Sequence, residues 1–177
     1  MRLLIVRHAV AEDRDEFAKT GLDDSMRPLT KDGRRRMERG VRGLRAVVRR
    51  IDVLATSPFT RAAQTAKIVA DAYGAPEPVA VSELTPEGKY KDFIGWLRGQ
   101  ATHDVVAVVG HEPHLSGLVS LLLTGRNDPV LVLKKGGACL IEFAGDEGDS
   151  DANTDVGAGK AKLLWSLTPG QLRRLRD

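Results

Sequence analysis

Leu3-Leu4-Ile5-Val6-Arg7-His8 is a run of four branched apolar residues that passes straight into two polar ones. Such a run fits a strand covered on both faces, with the polar pair at its C-terminal end. The pattern returns at Val105-Val106-Ala107-Val108-Val109, the strongest strand signal in the chain, which stops at Gly110-His111-Glu112-Pro113. Ile51 to Ala55 is a third buried run, ended by Thr56-Ser57-Pro58. Helical signals lie between these strands. Thr30 can cap a helix over 31–50 whose apolar residues Met37, Val41, Leu44 and Val48 fall at i, i+4, i+7 and i+11, with Arg35, Arg39, Arg42, Arg45 and Arg49 on the far side. Residues 60–73 read as a helix closed by Gly74.

Further along, 79–81 is a short strand, 89–97 a weaker helix, and Pro113 suits the first turn of a helix running to about Leu123. Strands are expected near 130–133, 138–143 and 161–167, with a short C-terminal helix over 168–176. Residues 9–29 are polar and irregular. Alternating strands and helices predict an α/β fold, a three-layer sandwich around a largely parallel central sheet. No internal repeat and no second domain is visible, so 1–177 reads as one domain.

The composition agrees. With 177 residues, 42% of them hydrophobic, the chain can bury its own core. No apolar run approaches the ~20 residues of a membrane-spanning helix, and the N-terminal stretch is too short and too soon charged for a secretion signal, so a cytoplasmic protein without membrane attachment is expected. The single cysteine, Cys139, lies in an apolar stretch and reads as core, which leaves no internal disulfide and no cysteine-based metal site. The net charge of +3 is unevenly spread: residues 145–159 hold five acids and no Lys or Arg, so the rest carries +8. That Gly- and Asp-rich segment is expected to be a mobile surface loop. A basic body suits nucleic acid or small anions alike. With only eight aromatic residues and no interleaved platform for bases, the Arg-rich helix face reads as a solvated or docking face, not a nucleic-acid site.

Three strands end in polar groups, at Arg7-His8, at Ser57 near Arg61, and at Gly110-His111. Ligands in open α/β sheets collect outside the carboxyl ends of the strands, so these points should converge. Two guanidinium forks match phosphate oxygens, and neutral imidazole can attack phosphorus or relay protons. Neighbouring Arg cations should keep His8 neutral. Ser57 either bonds the pocket or caps the turn before Pro58, with a supporting role favoured. His111-Glu112-Pro113-His114 lacks the spacing of a helical metal-binding pair, so His114 reads as a rim residue and no metal site is assigned.

Leu4-Ile5-Val6-Arg7-His8-Ala9, Ser57-Pro58-Phe59-Thr60-Arg61-Ala62 and Gly110-His111, in this order, resemble the histidine phosphatase (phosphoglycerate mutase-like) superfamily. Asp24-Ser25-Met26-Arg27-Pro28-Leu29-Thr30 and Ser82-Glu83-Leu84-Thr85-Pro86 are similar to its SixA-like phosphohistidine phosphatase branch. The resemblance covers roughly residues 1–143. It implies that His8 is the nucleophile that forms a phosphohistidine hydrolysed by water, that Arg7 and Arg61 clamp the phosphoryl oxygens, and that His111 donates to them. It also places Glu83 where relatives carry an acid near the leaving group, a candidate proton donor. No cofactor or metal is implied, because the Arg and His donors supply the positive field.

Ala9 departs from the glycine that many relatives have, putting a methyl beside the pocket. No long lid insertion is visible, which implies an open site suited to phosphate presented on a protein. The expected substrate is therefore phosphohistidine on a phosphorylated protein such as a phosphotransfer domain. The alternatives are a small phosphorylated metabolite or nucleotide, and a phosphate-binding module without turnover. A neutral His8 predicts activity that falls on the acid side, with a fall already visible at pH 5.

Overall fold

In the computed structural model, which describes residues 1–144 and 155–175, Leu3 to Val6 are at most 1% exposed. They belong to β1 (Arg2–Arg7), and their alternate side chains enter different cores. Leu4 and Val6 meet one apolar cluster, Leu3 and Ile5 the other. Each cluster is roofed by helices, so the sheet is the middle of three layers.

The elements follow in the order α1 (Arg14–Ala18), α2 (Lys31–Val47), β2 (Val53–Thr56), α3 (Thr60–Tyr73), β3 (Val79–Ala80), α4 (Tyr90–Arg98), β4 (Val105–Gly110), α5 (His114–Thr124), β5 (Ala138–Phe143), β6 (Ala161–Leu167) and α6 (Pro169–Leu172). The sheet order is β3-β2-β4-β1-β5-β6. Its first four strands are parallel, while β5 runs antiparallel to β1 and β6 antiparallel to β5. The expected three-layer α/β sandwich with a largely parallel sheet is the fold observed.

Met37, Val41 and Leu44 of α2 pack under one face together with Ala62, Ala66 and Val69 of α3 and Leu172 of α6. On the other face lie Phe93 and Leu97 of α4 and Leu115, Leu118 and Leu122 of α5. Burying one such Leu or Phe contributes about 1.5–3 kcal/mol, so these two stripes carry most of the stability. Gly43 lets α6 lie directly on α2, since a Cβ there would meet the Leu172 carbonyl oxygen at 1.9 Å. Cys139 is fully buried in β5 and its thiol is pushed up to about 12 by that burial. No helix among the described residues is long and apolar enough to cross a membrane.

Three expectations need correction. The helix over 31–50 ends at Val47, because Val48 is already extended and tucks into the core. Residues 9–29 contain α1, capped by Asp13, and a 3-10 turn over Asp24–Met26, capped by Asp23. Residues 130–133 form no strand. Both edges of β1 are taken, and the segment's backbone groups are met by side chains: Val130 N–H donates to Ser120 Oγ (2.8 Å) and Leu133 N–H to Glu112 Oε1 (2.9 Å).

The expectation of a mobile loop over 145–159 falls mainly on 145–154, which lie outside the described residues. Of the described residues 155–159, Val156 is buried and its carbonyl accepts from Arg98 Nε at 2.8 Å, while Asp155, Ala158 and Gly159 are exposed.

Candidate active site

Parallel pairing of β1 with β4 sets Arg7 opposite Gly110. The next residue on each strand is a histidine, and His8 N–H donates to the Gly110 carbonyl at 3.0 Å. The His8 and His111 rings therefore stand 5.1 Å apart, both buried. On the other side of β4, Ser57 N–H donates to the Val109 carbonyl (2.9 Å), which brings Ser57 under His111. Three strand ends thus share one cleft of about 500 Å³, lined among others by Arg7, His8, Arg61 and His111.

The protonation pattern follows from the partners. His8 Nδ1 lies 2.7 Å from the Ala9 carbonyl oxygen, which can only accept, so Nδ1 carries the proton and Nε2 keeps its lone pair. Burial is the first reason that His8 is pushed down to about 3, with Arg61, Arg7 and Lys135 adding to it. The dominant cause is thus dehydration, not the neighbouring Arg charges invoked from sequence. Ser57 Oγ accepts from Phe59 N–H and lies 2.8 Å from His111 Nε2. With that hydroxyl as the donor, the His111 proton sits on Nδ1; with the ring as the donor, it sits on Nε2. Burial, then His8 and Arg61, lowers His111 to about 2.

The two guanidiniums are held from outside the strands. Arg7 Nη1 donates to the Leu133 carbonyl at 2.7 Å. The misassigned segment at 130–133 is therefore a strut, anchored in turn by Glu112. Gly136, at φ +77°, donates to the carbonyls of both Arg7 and His8 (3.1 Å each), a turn that favours glycine. Arg61 Nη1 donates to the Asp24 carbonyl (2.8 Å), and Arg61 Nη2 stands 3.1 Å from Asp24 Oδ2. Asp24 also pairs with Arg27 Nε at 2.8 Å. Burial opposes the charge on Asp24, but Arg27 and Arg61 override it and hold the carboxyl at about 2.

Among the described residues, five buried side-chain polar atoms have no hydrogen-bond partner: Arg7 Nε, Arg61 Nε, His111 Nδ1, His114 Nδ1 and Ser116 Oγ. The first three belong to residues that line the same cleft. Orphaned buried donors cost about 1–3 kcal/mol each, and a site tolerates them where a ligand is to be bound. Two guanidinium N–H groups and an imidazole nitrogen beside the His8 lone pair fit a tetrahedral oxyanion.

Glu83 is not brought into this cleft. It sits half-buried on the 3-10 turn Ser82–Leu84, and the carboxylates that line the cleft from that side are Glu87 and Glu112. The spacing from Ser82 to Gly88 gave no means of telling Glu83 from Glu87. The Ala9 methyl lines a smaller neighbouring cavity and is absent from the lining of the cleft itself. His114 is buried, and its Nε2 donates to the Gly88 carbonyl at 3.0 Å, pinning the turn that carries Pro86 and Glu87 to the rim. Asp24, Arg27 and Lys135 were not assigned as site residues from sequence. The Asp-Ser-Met-Arg segment drew notice only through resemblance.

The chain belongs to the histidine phosphatase superfamily, branch 1, whose family model matches residues 3–96. Membership supports phosphatase activity. The phosphohistidine phosphatase SixA of Escherichia coli K12 is 30% identical over 179 residues, covering 98% of this chain and 97% of its own length. An uncharacterised protein of Picosynechococcus is 35% identical over 139 residues, covering 77% and 82%. The solved structure of the protein histidine phosphatase SixA complexed with tungstate superposes with a TM-score of 0.79 at 24% identity, covering 97% of this chain and 99% of that one. The fold is thus of the phosphoglycerate mutase-like type, and the SixA-like branch is the one it resembles.

Proposed function

We propose that this protein is a metal-independent phosphatase that removes phosphoryl groups from phosphohistidine on a protein. The observation that carries the reading is the set of unpartnered buried nitrogens of Arg7, Arg61 and His111 around a neutral His8. His8 Nε2 attacks phosphorus, the bond from phosphorus to the substrate's imidazole nitrogen breaks, and that nitrogen keeps the electron pair. Arg7, Arg61 and His111 Nδ1–H hold the phosphoryl oxygens throughout. Water then attacks the phospho-His8, the phosphorus–nitrogen bond breaks, and inorganic phosphate leaves with His8 restored. An imidazole leaving group already protonated on its other nitrogen departs neutral and needs no strong acid.

Two features favour a macromolecular substrate. Between α3 and β4 only Pro86 and Glu87 line the cleft, so this connection forms no lid over it among the described residues. The loops that supply the rim also expose Leu22 (51%), Met26 (53%), Val130 (58%) and Val132 (72%), side chains suited to a protein surface. A phosphotransfer domain carrying phosphohistidine is the natural test substrate, and a cytoplasmic setting belongs to this reading.

A second reading, hydrolysis of small phosphate esters, draws on Glu87, a carboxylate at the rim that can protonate a departing alkoxide. The two are separated by measuring phosphate release, with chelator present, from a phosphohistidine-bearing protein and from a panel of esters and nucleotides. Preference for the protein, abolished in His8→Ala, is expected. Glu87→Gln should slow ester hydrolysis more than phosphohistidine hydrolysis, whereas Glu83→Gln should change neither. Preference for an ester would support the second reading, and phosphate binding without turnover on any substrate would make the protein a binding module.

A further inference from the structure

Next to the catalytic cleft lies a smaller cavity of about 100 Å³. Its apolar lining comes from Ala9, Val10, Met37 and Pro169, and its charged lining is Arg36, Lys135 and Arg173. Among the described residues, no carboxylate lines it. The three cations come from separate places in the fold: the first turns of α2, the connection into β5, and the residue that closes α6. Arg36 pairs with Asp32, one turn back on its own helix. Among the described residues, Lys135 and Arg173 are in no ion pair. Three like charges gathered around a partly apolar concavity raise the local potential and concentrate anions there.

We propose that this cavity is a second anion subsite that takes one tetrahedral oxyanion of the phosphate type. A cavity of about 100 Å³ has room for such an ion. Lys135 lines both cavities, so it bridges the subsite to the cleft that holds His8. The ion is either free inorganic phosphate, the product of the neighbouring cleft, or an acidic group carried by the substrate beyond its phosphoryl group. The subsite goes beyond the choice of phosphoryl donor and holds for a protein or an ester substrate alike.

The test is a titration of the full chain with inorganic phosphate at constant ionic strength, followed by amide NMR. Two sets of shifts with separate saturation are expected, one around Phe59 and Arg61, the other around Val10 and Gly33. In the double variant Arg36→Gln/Arg173→Gln, both changes being at exposed positions, the second set should need roughly tenfold more phosphate and the first should be unmoved. A single saturation curve in the wild type, or a second set unchanged in the double variant, would overturn the proposal.

Kinetics then identify the source of the ion. If it is free phosphate, product inhibition of the wild type contains a component that saturating substrate does not relieve, and the double variant lacks it. If it is a substrate group, the double variant raises KM for a substrate with a second anionic group and leaves a simple monoester unchanged. Absence of both effects would count against the subsite as firmly as a single titration curve.

Discussion

His8 and His111 are placed by strands, whereas Arg7 and Arg61 are aimed by loops. Each histidine follows a run of buried strand residues in a ladder whose register is fixed, and a slip by one residue would turn every side chain to the other face. Their separation is therefore as rigid as the sheet. A guanidinium sits on a long side chain with about 2 kcal/mol of rotamer entropy to lose, and the sheet cannot hold its far end. The carbonyl of Leu133 and, for Arg61, the backbone carbonyl and one carboxylate oxygen of Asp24 do so instead, from segments without regular structure or with a single 3-10 turn. The site thus has a fixed half that supplies the nucleophile and an adjustable half that supplies most of the positive charge. Damage to each should look different.

The largest effect is expected in the fixed half. His8→Ala removes the atom that bonds to phosphorus and should lower turnover by roughly 10⁴-fold or more, while phosphate binding by Arg7 and Arg61 survives. Acid-labile label trapped on the wild type and absent from the variant would check this. A variant that still turned over would remove His8 from its role.

Arg61→Lys comes next, at about 10²-fold in kcat, because an ammonium cannot make the two bonds to Asp24 and still point an N–H at the substrate. Near-wild-type turnover would mean that a point charge suffices and that the loop-held geometry is dispensable. Asp24→Asn tests the loop alone. It keeps the backbone carbonyl bond and weakens the charged one, so kcat should fall about tenfold while KM does not rise, since a carboxylate that repels the anionic substrate is gone. Unchanged kcat with a lowered Tm would make Asp24 a stability residue only.

This division also explains what could be read from the sequence. The strand half was legible because a buried strand needs an unbroken apolar run and any polar residue that ends it must face a strand terminus; 3–8, 51–57 and 105–111 each show this directly. Gly74 and Thr30 marked helix ends by the same local logic, and the structure has them there. The loop half was not legible, because its bonds run between side chains and backbone far apart in sequence. Arg7 and Leu133 are 126 residues apart, Arg61 and Asp24 are 37. No local pattern signals such a pair. The error at 130–133 has the same origin, for Val130-Leu131-Val132-Leu133 has strand composition but is recruited as a strut. Glu83 and Glu87 differ only in how a tight turn aims them, with Gly88 packed so closely that a Cβ would meet the Glu83 carbonyl oxygen at 2.1 Å.

The smallest expected change is with pH, and it reverses the expectation drawn from sequence. With His8 at about 3 and His111 at about 2, both imidazoles remain neutral from pH 7 to pH 5. The acid limb of kcat/KM that belongs to the nucleophile therefore lies below pH 5, and a flat profile down to that point is the signature of a neutral, dry His8. Stability moves first. Both folded values lie below the unfolded value of about 6.5, so below that pH the unfolded chain binds protons that the folded chain refuses. Stability that is complete above about pH 6.5 is then lost on acidification, by about 1.4 kcal/mol per pH unit for each histidine that stays neutral. NMR of the imidazole rings together with Tm against pH checks both statements. Ring resonances that do not shift between pH 7 and 5, while Tm declines, would show that the strand ends hold the pair away from water. A midpoint near 6 for either ring would show water reaching the strand ends, and the fixed half of the site would then be as adjustable as the loops around it.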